Sequence, residues 1–470
     1  MPLNKNTRIK KILEVKSQQV VGTQKIEWKG EPQWLDVYRV PISYLIYNKY
    51  NGRILSRTKS LETQNQKLNA EIEKDFKTIE ELLYASHENR NKQTEANIRK
   101  KGQEKPGIIT SDGVVIDGNR RLMCLNRIVN KPEKLDTEKF KYFEAVILPA
   151  NLADVPDEIR RLETTYQMGE DKKLDYNPIE KYLKVQELDK NKISISSISD
   201  WMSETELEVT KYLDTMRTMD DYLDYLDYNG IYTQLDGRED WFLSLTKWLK
   251  GFKGEGSKRA FDGYKEADVD DLQLVCYDYI RAKHGGDEKR FRKIAEGQQS
   301  NHIFGNRELW GKFKNFHFER TDPIKDKELP INHDAPDLKS HLDDRDKQFM
   351  TKSGQHLKEN LNDRISELSN KQNQNEPEKL INKAESALEA INIKADSFSK
   401  EDTQKQLRKV VNKATELLLK NDVSLVLKQS FDLLDKIDIN DLSNEEGDKQ
   451  LDLIKQINSL SFEMKKKLGG

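Results

Sequence analysis

The sequence predicts a predominantly helical α+β protein that contains several domains. The chain has 470 residues, so about two to four domains are expected, because one hydrophobic core rarely organises so long a chain. Apolar residues recur at three- and four-residue steps over most of the chain, as they do in amphipathic helices. Residues 35–152 differ, because short β-branched and aromatic runs alternate there with helical stretches. This pattern predicts a small α/β domain.

The first part of the chain is interpreted as a basic lead-in, residues 1–34, which contains short strands (QQVVGTQKIEWKG) and precedes the α/β domain. Residues 1–30 hold seven Lys or Arg against two Glu. Within the α/β domain, WLDVYRVPISYLIYN predicts a strand and residues 60–102 predict a helix. KPGIITSDGVVIDGN predicts two strands that end in Asp-Gly turns. Residues 119–130 predict a further helix, and FKYFEAVILPA predicts another strand.

Residues 153–228 are predicted to form a helical domain that resembles a helix-turn-helix. ISSISDWMS and ELEVTKYLDTMRTM have suitable lengths for its two helices. A recognition helix normally presents Arg, Lys, Asn or Gln to DNA bases. Here the exposed side of the second helix is expected to carry Glu204, Glu206 and Glu208 beside Lys211. Contact with DNA and a purely structural or protein-binding role therefore both remain open.

The rest of the chain is predicted to be helical and to end in a separate bundle. Residues 229–320 form a mixed, mainly helical domain, residues 321–337 a proline-containing linker, and residues 338–470 a C-terminal bundle of antiparallel helices. The bundle is expected to serve self-association or the docking of a protein partner. The predicted core of the middle domain consists of Trp241, Phe242, Trp248, Phe252, Phe261, Tyr264, Tyr277, Phe291, Trp310 and Phe313.

Composition limits the possible partners and location. The longest apolar runs are far too short to span a membrane, and the N-terminal stretch lacks the apolar region of a secretory signal. Cys124 and Cys276 are too few for a disulfide framework or a zinc site. These features favour a cytoplasmic protein that does not bind membranes. The net charge is −2, so any surface that binds phosphate must be local.

The most informative stretch is VIDGNRRLMC, residues 115–124, where a predicted strand turns into a predicted helix. Such a junction directs unpaired backbone N–H groups at the N-terminus of the helix, which attracts anions. Gly118 would let a phosphate approach the backbone, and Arg120 and Arg121 would supply charge. The alternative is an ordinary turn in which Asp117 or Asn119 caps the helix and the arginines are solvated. The physical features alone leave both interpretations open.

Three stretches resemble the N-terminal domain shared by ParB partition proteins and sulfiredoxin. GIITSDGVVIDGNRRLMCLNRI is similar to the strand, phosphate loop and helix of that family. VYRVPISYLIYNKYNGRI is similar to its opening segment. YQMGEDKKLDYNPIEKYLKVQEL is similar to the ParB segment that ends in Pro-Ile-Glu and precedes a helix-turn-helix. The three stretches occur in the family order and cover about residues 35–228.

The resemblance implies a site for CTP or ATP with Mg²⁺. Thr164 and Thr165 stand where the family has a glutamate and an asparagine that help to hold the metal and the γ-phosphate. The resemblance therefore implies binding of a nucleotide rather than its hydrolysis. Cys124 lies inside the predicted helix, which favours a buried structural thiol over sulfiredoxin chemistry. The residues that the family resemblance implies for the nucleotide or phosphate site are Gly118, Asn119, Arg120, Arg121, Arg53 and Gln167.

Three functions remain open at this point. The first is a ParB-like DNA-associated protein that binds a nucleotide or DNA phosphate at the DGNRR loop. The second is a ParB-like, metal-dependent nuclease of a mobile-element or phage-defence system, for which Asp112 and Asp117 are the nearest carboxylates. The third is a non-catalytic adaptor that binds proteins. Whether the chain is an enzyme is left undecided.

Overall fold

Over the residues that it describes, the computed structural model is mostly helical (67%), with eighteen helices and one mixed sheet of six strands, so the predicted α+β class is confirmed. The chain divides into two compact units, Met1–Gln374 and Asn375–Gly470. The structure describes residues 2–64, 66–131, 137–150, 154–169, 177–283, 288–328, 330–333, 335, 337–419, 423–439, 442 and 447–469.

The sheet belongs to the first unit and has the order β1-β2-β6-β4-β5-β3. The pairs β1–β2, β2–β6 and β4–β5 are antiparallel, whereas β4–β6 and β3–β5 are parallel. β5 thus has a neighbouring strand on each side. Its C-terminal end, from which the chain enters the DGNRR loop, lies inside the sheet. The strands are β1 (Gly22–Trp28), β2 (Glu31–Pro41), β3 (Ile46–Tyr47), β4 (Gly107–Ile109), β5 (Val114–Asp117) and β6 (Tyr142–Ile147).

Five helices accompany the sheet in the first part of the chain. The single helix predicted over residues 60–102 is replaced by three helices, because polar stretches near residues 64–72 and at His87 interrupt the apolar pattern. The helices are α1 (Lys5–Lys16), α2 (Leu55–Thr63), α3 (Glu73–Ser86), α4 (Glu88–Lys101) and α5 (Asn119–Asn130).

The predicted basic lead-in, residues 1–34, is instead an integral part of the sheet domain. α1 buries Ile12 and Val15, and its Arg8 is 1% exposed and donates to the carbonyl of Asp112 at 2.5 Å. The β1–β2 hairpin extends the sheet. The strand expected within QQVVGTQKIEWKG is thus present as β1, whereas the residues before it form a packed helix whose lysines lie on its outer side.

Most of the remaining helices of the first unit build a second core. All ten aromatic residues predicted for the middle domain are buried, and that prediction is confirmed. A five-residue π-helical turn, Thr165–Gly169, directly follows α6. The helices are α6 (Pro156–Thr164), α7 (Pro178–Lys190), α8 (Ile195–Met202), α9 (Glu206–Tyr225), α10 (Glu239–Phe252), α11 (Glu266–Ala282), α12 (Glu288–Phe291), α13 (Arg307–Lys325) and α14 (Leu338–Gln372).

The predicted linker at residues 321–337 does not separate two domains. α13 continues through Pro323, and α14 returns along α11 and α13. α14 buries an apolar stripe against them that includes Phe349, Leu357 and Leu361. Because this stripe completes the core of the first unit, the boundary between the units lies at Gln374 rather than before residue 338.

The second unit consists of amphipathic helices whose apolar sides are exposed. None of its described residues is buried, so the core expected for the bundle at residues 338–470 is not found in the described part of this unit. Ile381, Phe431 and Phe462 are examples, each about two-thirds exposed. The helices are α15 (Pro377–Glu389), α16 (Glu401–Leu419), α17 (Val423–Asp435) and α18 (Gly447–Lys467).

Candidate functional site

The candidate site begins at Gly118, between the end of β5 and the first residue of α5. Gly118 has a φ of 100°, in the left-handed region that favours glycine. A Cβ atom there would lie 2.7 Å from Cζ of Phe143, so packing also requires glycine. Among the described residues no side chain caps α5, and neither Asp117 nor Asn119 has the capping role that was considered for them. The first turn of α5 therefore has no side-chain cap, while Gly118 itself is buried and a Cβ atom there would also lie 3.2 Å from Nη2 of Arg121.

Asn119 is a structural residue of this junction. Its side chain is buried, and its Oδ1 accepts a hydrogen bond from the backbone N–H of Asn48 at 3.0 Å. Its Nδ2 donates to the carbonyl oxygen of Val115 at 2.8 Å. Because both ends of the amide are occupied within the protein, Asn119 connects the loop after β3 to β5 instead of presenting its side chain to a ligand.

Gln167 performs a similar role from the π-helical turn. Its Oε1 accepts from the backbone N–H of Gly52 at 3.0 Å, and its Nε2 donates to the carbonyl of Ile116 at 2.8 Å. Asn119 and Gln167 thus hold residues 48–53 against the end of β5 at two points. The three stretches that carry the family resemblance lie side by side, although they are far apart in sequence.

Arg121 is folded back onto the turn that precedes α5. Its Nη2 lies 2.5 Å from Oδ2 of Asp117. Its Nη1 donates to the carbonyl oxygens of Lys105 and, at 3.0 Å, of Pro106. The guanidinium group therefore fixes the geometry of the loop, and Asp117 neutralises much of its charge.

Arg120 and Arg53 are the other cations that the sequence predicts for the site. Both side chains are partly buried. Burial raises the pKa of the Cys124 thiol to about 12, an effect that the charge of Arg120 only partly offsets. Cys124 is fully buried, which agrees with the structural thiol inferred from the sequence. Arg53 directly follows Gly52, and its backbone N–H donates to Oδ1 of Asn51 at 3.1 Å.

Glu163 is a site residue that sequence reasoning missed. Its side chain is buried, and its Oε1 accepts from Nδ2 of Asn48 at 2.8 Å, while its Oε2 lies 3.0 Å from Nζ of Lys184. The π-helical turn Thr165–Gly169 widens the helix before Gln167. The family motif has its glutamate three residues before the glutamine. In this chain the carboxylate that reaches the loop, Glu163, therefore lies four residues before Gln167. The only sequence signal was a glutamate one position outside the expected motif.

Glu180, in the Pro-Ile-Glu stretch, clamps α7 to the N-terminus of α2. Its two carboxylate oxygens accept from the backbone N–H of Ser56 at 2.7 Å and from Oγ of Ser56 at 2.6 Å. Arg57 lies 3.3 Å away through Nη1. Burial nevertheless raises the pKa of Glu180 to about 7, although Ser56 and Arg57 act to lower it. Because α2 begins just after Arg53, the hydrogen bonds between Glu180 and Ser56 also hold one end of the candidate site in place.

α8 and α9 are joined by three residues, as the predicted helix-turn-helix requires. Ser203 adopts a left-handed φ of 51° at the end of α8, and Thr205 caps α9 by accepting from the backbone N–H of Glu208 at 3.2 Å. Behind them, Val185 of α7 packs in one apolar cluster with Ile198 and Val209. The three helices α7, α8 and α9 therefore share a small core.

The acidic surface predicted for this motif is smaller than expected. Glu204 is not an exposed residue of the second helix, since its Oε1 lies 2.5 Å from Nζ of Lys181 on α7. Glu208 lies 2.6 Å from Nζ of Lys211. Glu206 remains exposed in the first turn of α9. The repulsion that this surface would exert on DNA is accordingly reduced, but the helix presents no cluster of Arg and Lys.

The carboxylates considered for a nuclease have structural partners. Oδ1 of Asp112 accepts from Oγ1 of Thr110 at 2.6 Å, and Asp117 pairs with Arg121. Across the part of the chain that the structure describes, no group of three or more His, Cys, Asp or Glu side chains is arranged to hold a metal ion.

Comparisons of the chain with models of protein families, with curated proteins and with solved structures find no match. The resemblance to ParB and sulfiredoxin thus depends on the three stretches of this sequence alone. A membrane-crossing helix is also missing from the described ranges, because none of their helices is both long and apolar enough.

Proposed function

We propose that this chain is a ParB-like, DNA-associated protein that binds a phosphate group, of a nucleotide or of DNA, at the N-terminus of α5. The observation that carries the proposal is the uncapped start of α5 behind the left-handed Gly118, beside a loop that Asn119 and Gln167 hold in place. Helix N-termini of this kind bind phosphate because their N–H groups and dipole both favour negative charge.

The residues of the site divide into two roles. The first N–H groups of α5, together with Arg120 and Arg53, supply hydrogen-bond donors and positive charge to the phosphate. Asn119, Gln167 and Arg121 position the loop through bonds within the protein. If the ligand is a nucleotide, CTP or ATP with Mg²⁺ is the class that the family resemblance implies. The proposed chemistry is binding, and no bond-breaking step is assigned.

Isothermal titration calorimetry with CTP, ATP and a short DNA duplex, each in the presence of Mg²⁺, tests the proposal. We expect at least one of them to bind the wild type and Arg120→Ala to weaken that binding about 10- to 100-fold, the effect of losing a charge-assisted hydrogen bond. Lys92→Ala removes an exposed charge from neighbouring α4 and should change the affinity less than about twofold. Binding by no ligand, or equal binding by Arg120→Ala, would refute the proposal.

A protein-binding adaptor is the second candidate function. The apolar sides of α15–α18 favour it, because contiguous exposed apolar surface usually marks an interaction site. This candidate needs no ligand at α5. If the folded protein gives no heat of binding with CTP, ATP or DNA, this candidate is therefore favoured over the first proposal.

A further inference from the structure

A cleft of about 770 Å³ lies between α3 and the C-terminal half of α5. Its volume falls within the range of about 300–1,000 Å³ that is usual for small-molecule sites. Apolar side chains form part of its walls, among them Ile42 and Leu45 near the sheet, Phe76 of α3 and Val129 of α5. The cleft opens at the opposite end of α5 from Gly118, which for a twelve-residue helix is about 18 Å away.

A chain of hydrogen bonds runs into this cleft and ends at Glu80. Nδ2 of Asn126 donates to the hydroxyl of Tyr47 at 2.7 Å, and that hydroxyl donates to Oε2 of Glu80 at 2.7 Å. Tyr47 is 1% exposed, and burial raises its pKa well above the usual value, so the phenol keeps its proton. Since the one hydroxyl proton is directed at Glu80, the glutamate is held as an acceptor at the base of the cleft.

Two of the positive charges that line the cleft are paired with other carboxylates. Lys77 pairs with Glu73 at 3.0 Å, and Arg127 pairs with Glu95 at 3.6 Å. Glu80, by contrast, has no cation within 4.0 Å in the described part of the chain. Burial raises its pKa, against the lowering effects of Tyr47 and Arg127. The carboxylate is thus partly desolvated without a close positive partner, which is an unfavourable state that a bound cation would relieve.

We propose that this cleft binds an organic monocation, a protonated primary amine on an apolar stem, with its ammonium group at Glu80. The stem would lie against Phe76 and Val129. The C-terminal end of α5 also carries partial negative charge, which favours a cation over an anion. Lys131 lies at the exposed rim, so a second positive group on the ligand would be repelled.

Phenethylamine and its neutral analogue 2-phenylethanol test this proposal by isothermal titration and ligand-observed NMR. The full chain should bind phenethylamine at least tenfold more tightly than 2-phenylethanol. Glu80→Gln should reduce the affinity for phenethylamine at least tenfold, because it removes the charge while keeping the size of the side chain. Glu81→Gln changes an exposed carboxylate at the same cleft and should alter the affinity less than twofold.

Two further measurements separate this site from the rest of the molecule. Arg120→Ala should leave phenethylamine binding unchanged, since that arginine lies at the other end of α5. The affinity of the wild type should fall as the pH drops through the raised pKa of Glu80, and Glu80→Gln should lack this dependence. The proposal is overturned if phenethylamine fails to bind, if it binds no better than 2-phenylethanol, or if Glu80→Gln and Glu81→Gln have equal effects.

Discussion

Glu180 connects α7 to the start of α2 by buried polar bonds. It lies on α7, yet it accepts both hydrogen bonds of Ser56 at the start of α2. Buried carboxylates prefer their neutral form unless positive charge compensates them, and Arg57 at 3.3 Å compensates only in part. The pKa of about 7 therefore makes this connection sensitive to pH near neutrality.

We predict that the first unit loses stability as the pH rises from about 5 to about 7.5. Folding raises the pKa of Glu180 from 4.5 to about 7, so the folded state binds its proton more tightly than the unfolded state. The contribution is complete below the unfolded pKa and is lost as the pH passes through the folded one. The expected change in the free energy of unfolding is about 2–3 kcal/mol. Urea denaturation across this range measures it.

Glu180→Gln identifies the group responsible for this slope. The variant cannot ionise, so the pH dependence should flatten by most of the predicted amount. Asp189→Asn, a change of an exposed carboxylate on the same helix, should keep the slope of the wild type. An unchanged slope in Glu180→Gln would show that another group is responsible.

At this scale the sequence predicted the junction of strand, glycine and helix better than the direction of the side chains around it. The strand–glycine–helix junction at Gly118 could be predicted because its signal is local. The inward orientation of Asn119 and Gln167 could not, since their partners, Asn48 and Gly52, lie about 70 and 115 positions away. A side chain with remote partners has no local pattern that reveals them.

At the scale of elements, α14 illustrates how a helix can be predicted while its partner is not. The apolar stripe of α14 correctly indicated an amphipathic helix, but the proline-containing stretch before it suggested a boundary. Pro323 lies two residues before the end of α13, so the backbone N–H donor that it lacks and the bend that it causes affect only the last turn of the helix. The chain then turns back, and α14 covers the aromatic core. Amphipathic periodicity specifies which face of a helix is buried, but it does not specify which other elements that face packs against.

This placement predicts different effects for two leucines that the sequence pattern treats alike. Leu361 of α14 is fully buried, so Leu361→Ala should reduce the free energy of unfolding by about 2–5 kcal/mol through lost contacts and a cavity. Leu388 of α15 is 45% exposed, and Leu388→Ala should change it by less than about 0.5 kcal/mol. Chemical denaturation of both variants measures the two changes in the free energy of unfolding. Similar losses for both would mean that α15 is packed in solution as tightly as α14.

At the scale of the whole molecule, the two units differ in how their apolar residues are used. The first unit buries three apolar clusters, whereas none of the described residues of the second unit is buried. Helix content and the small sheet domain were predictable from the sequence. The strand order was not, because β6 lies between β2 and β4 and pairs segments more than thirty residues apart. Such pairing depends on the completed core.

We therefore predict that a chain ending at Gln374 folds without the second unit. Its cooperative urea transition should have the same midpoint as the corresponding transition of the full chain, because none of the removed residues that the structure describes is buried. A chain ending at Pro330 should lose this transition, since it lacks Phe349, Leu357 and Leu361 and exposes the aromatic core. In hydrogen exchange on the full chain, α15–α18 should exchange faster than α11 and α14. Loss of cooperative unfolding in the chain ending at Gln374 would show that the second unit contributes to the core after all.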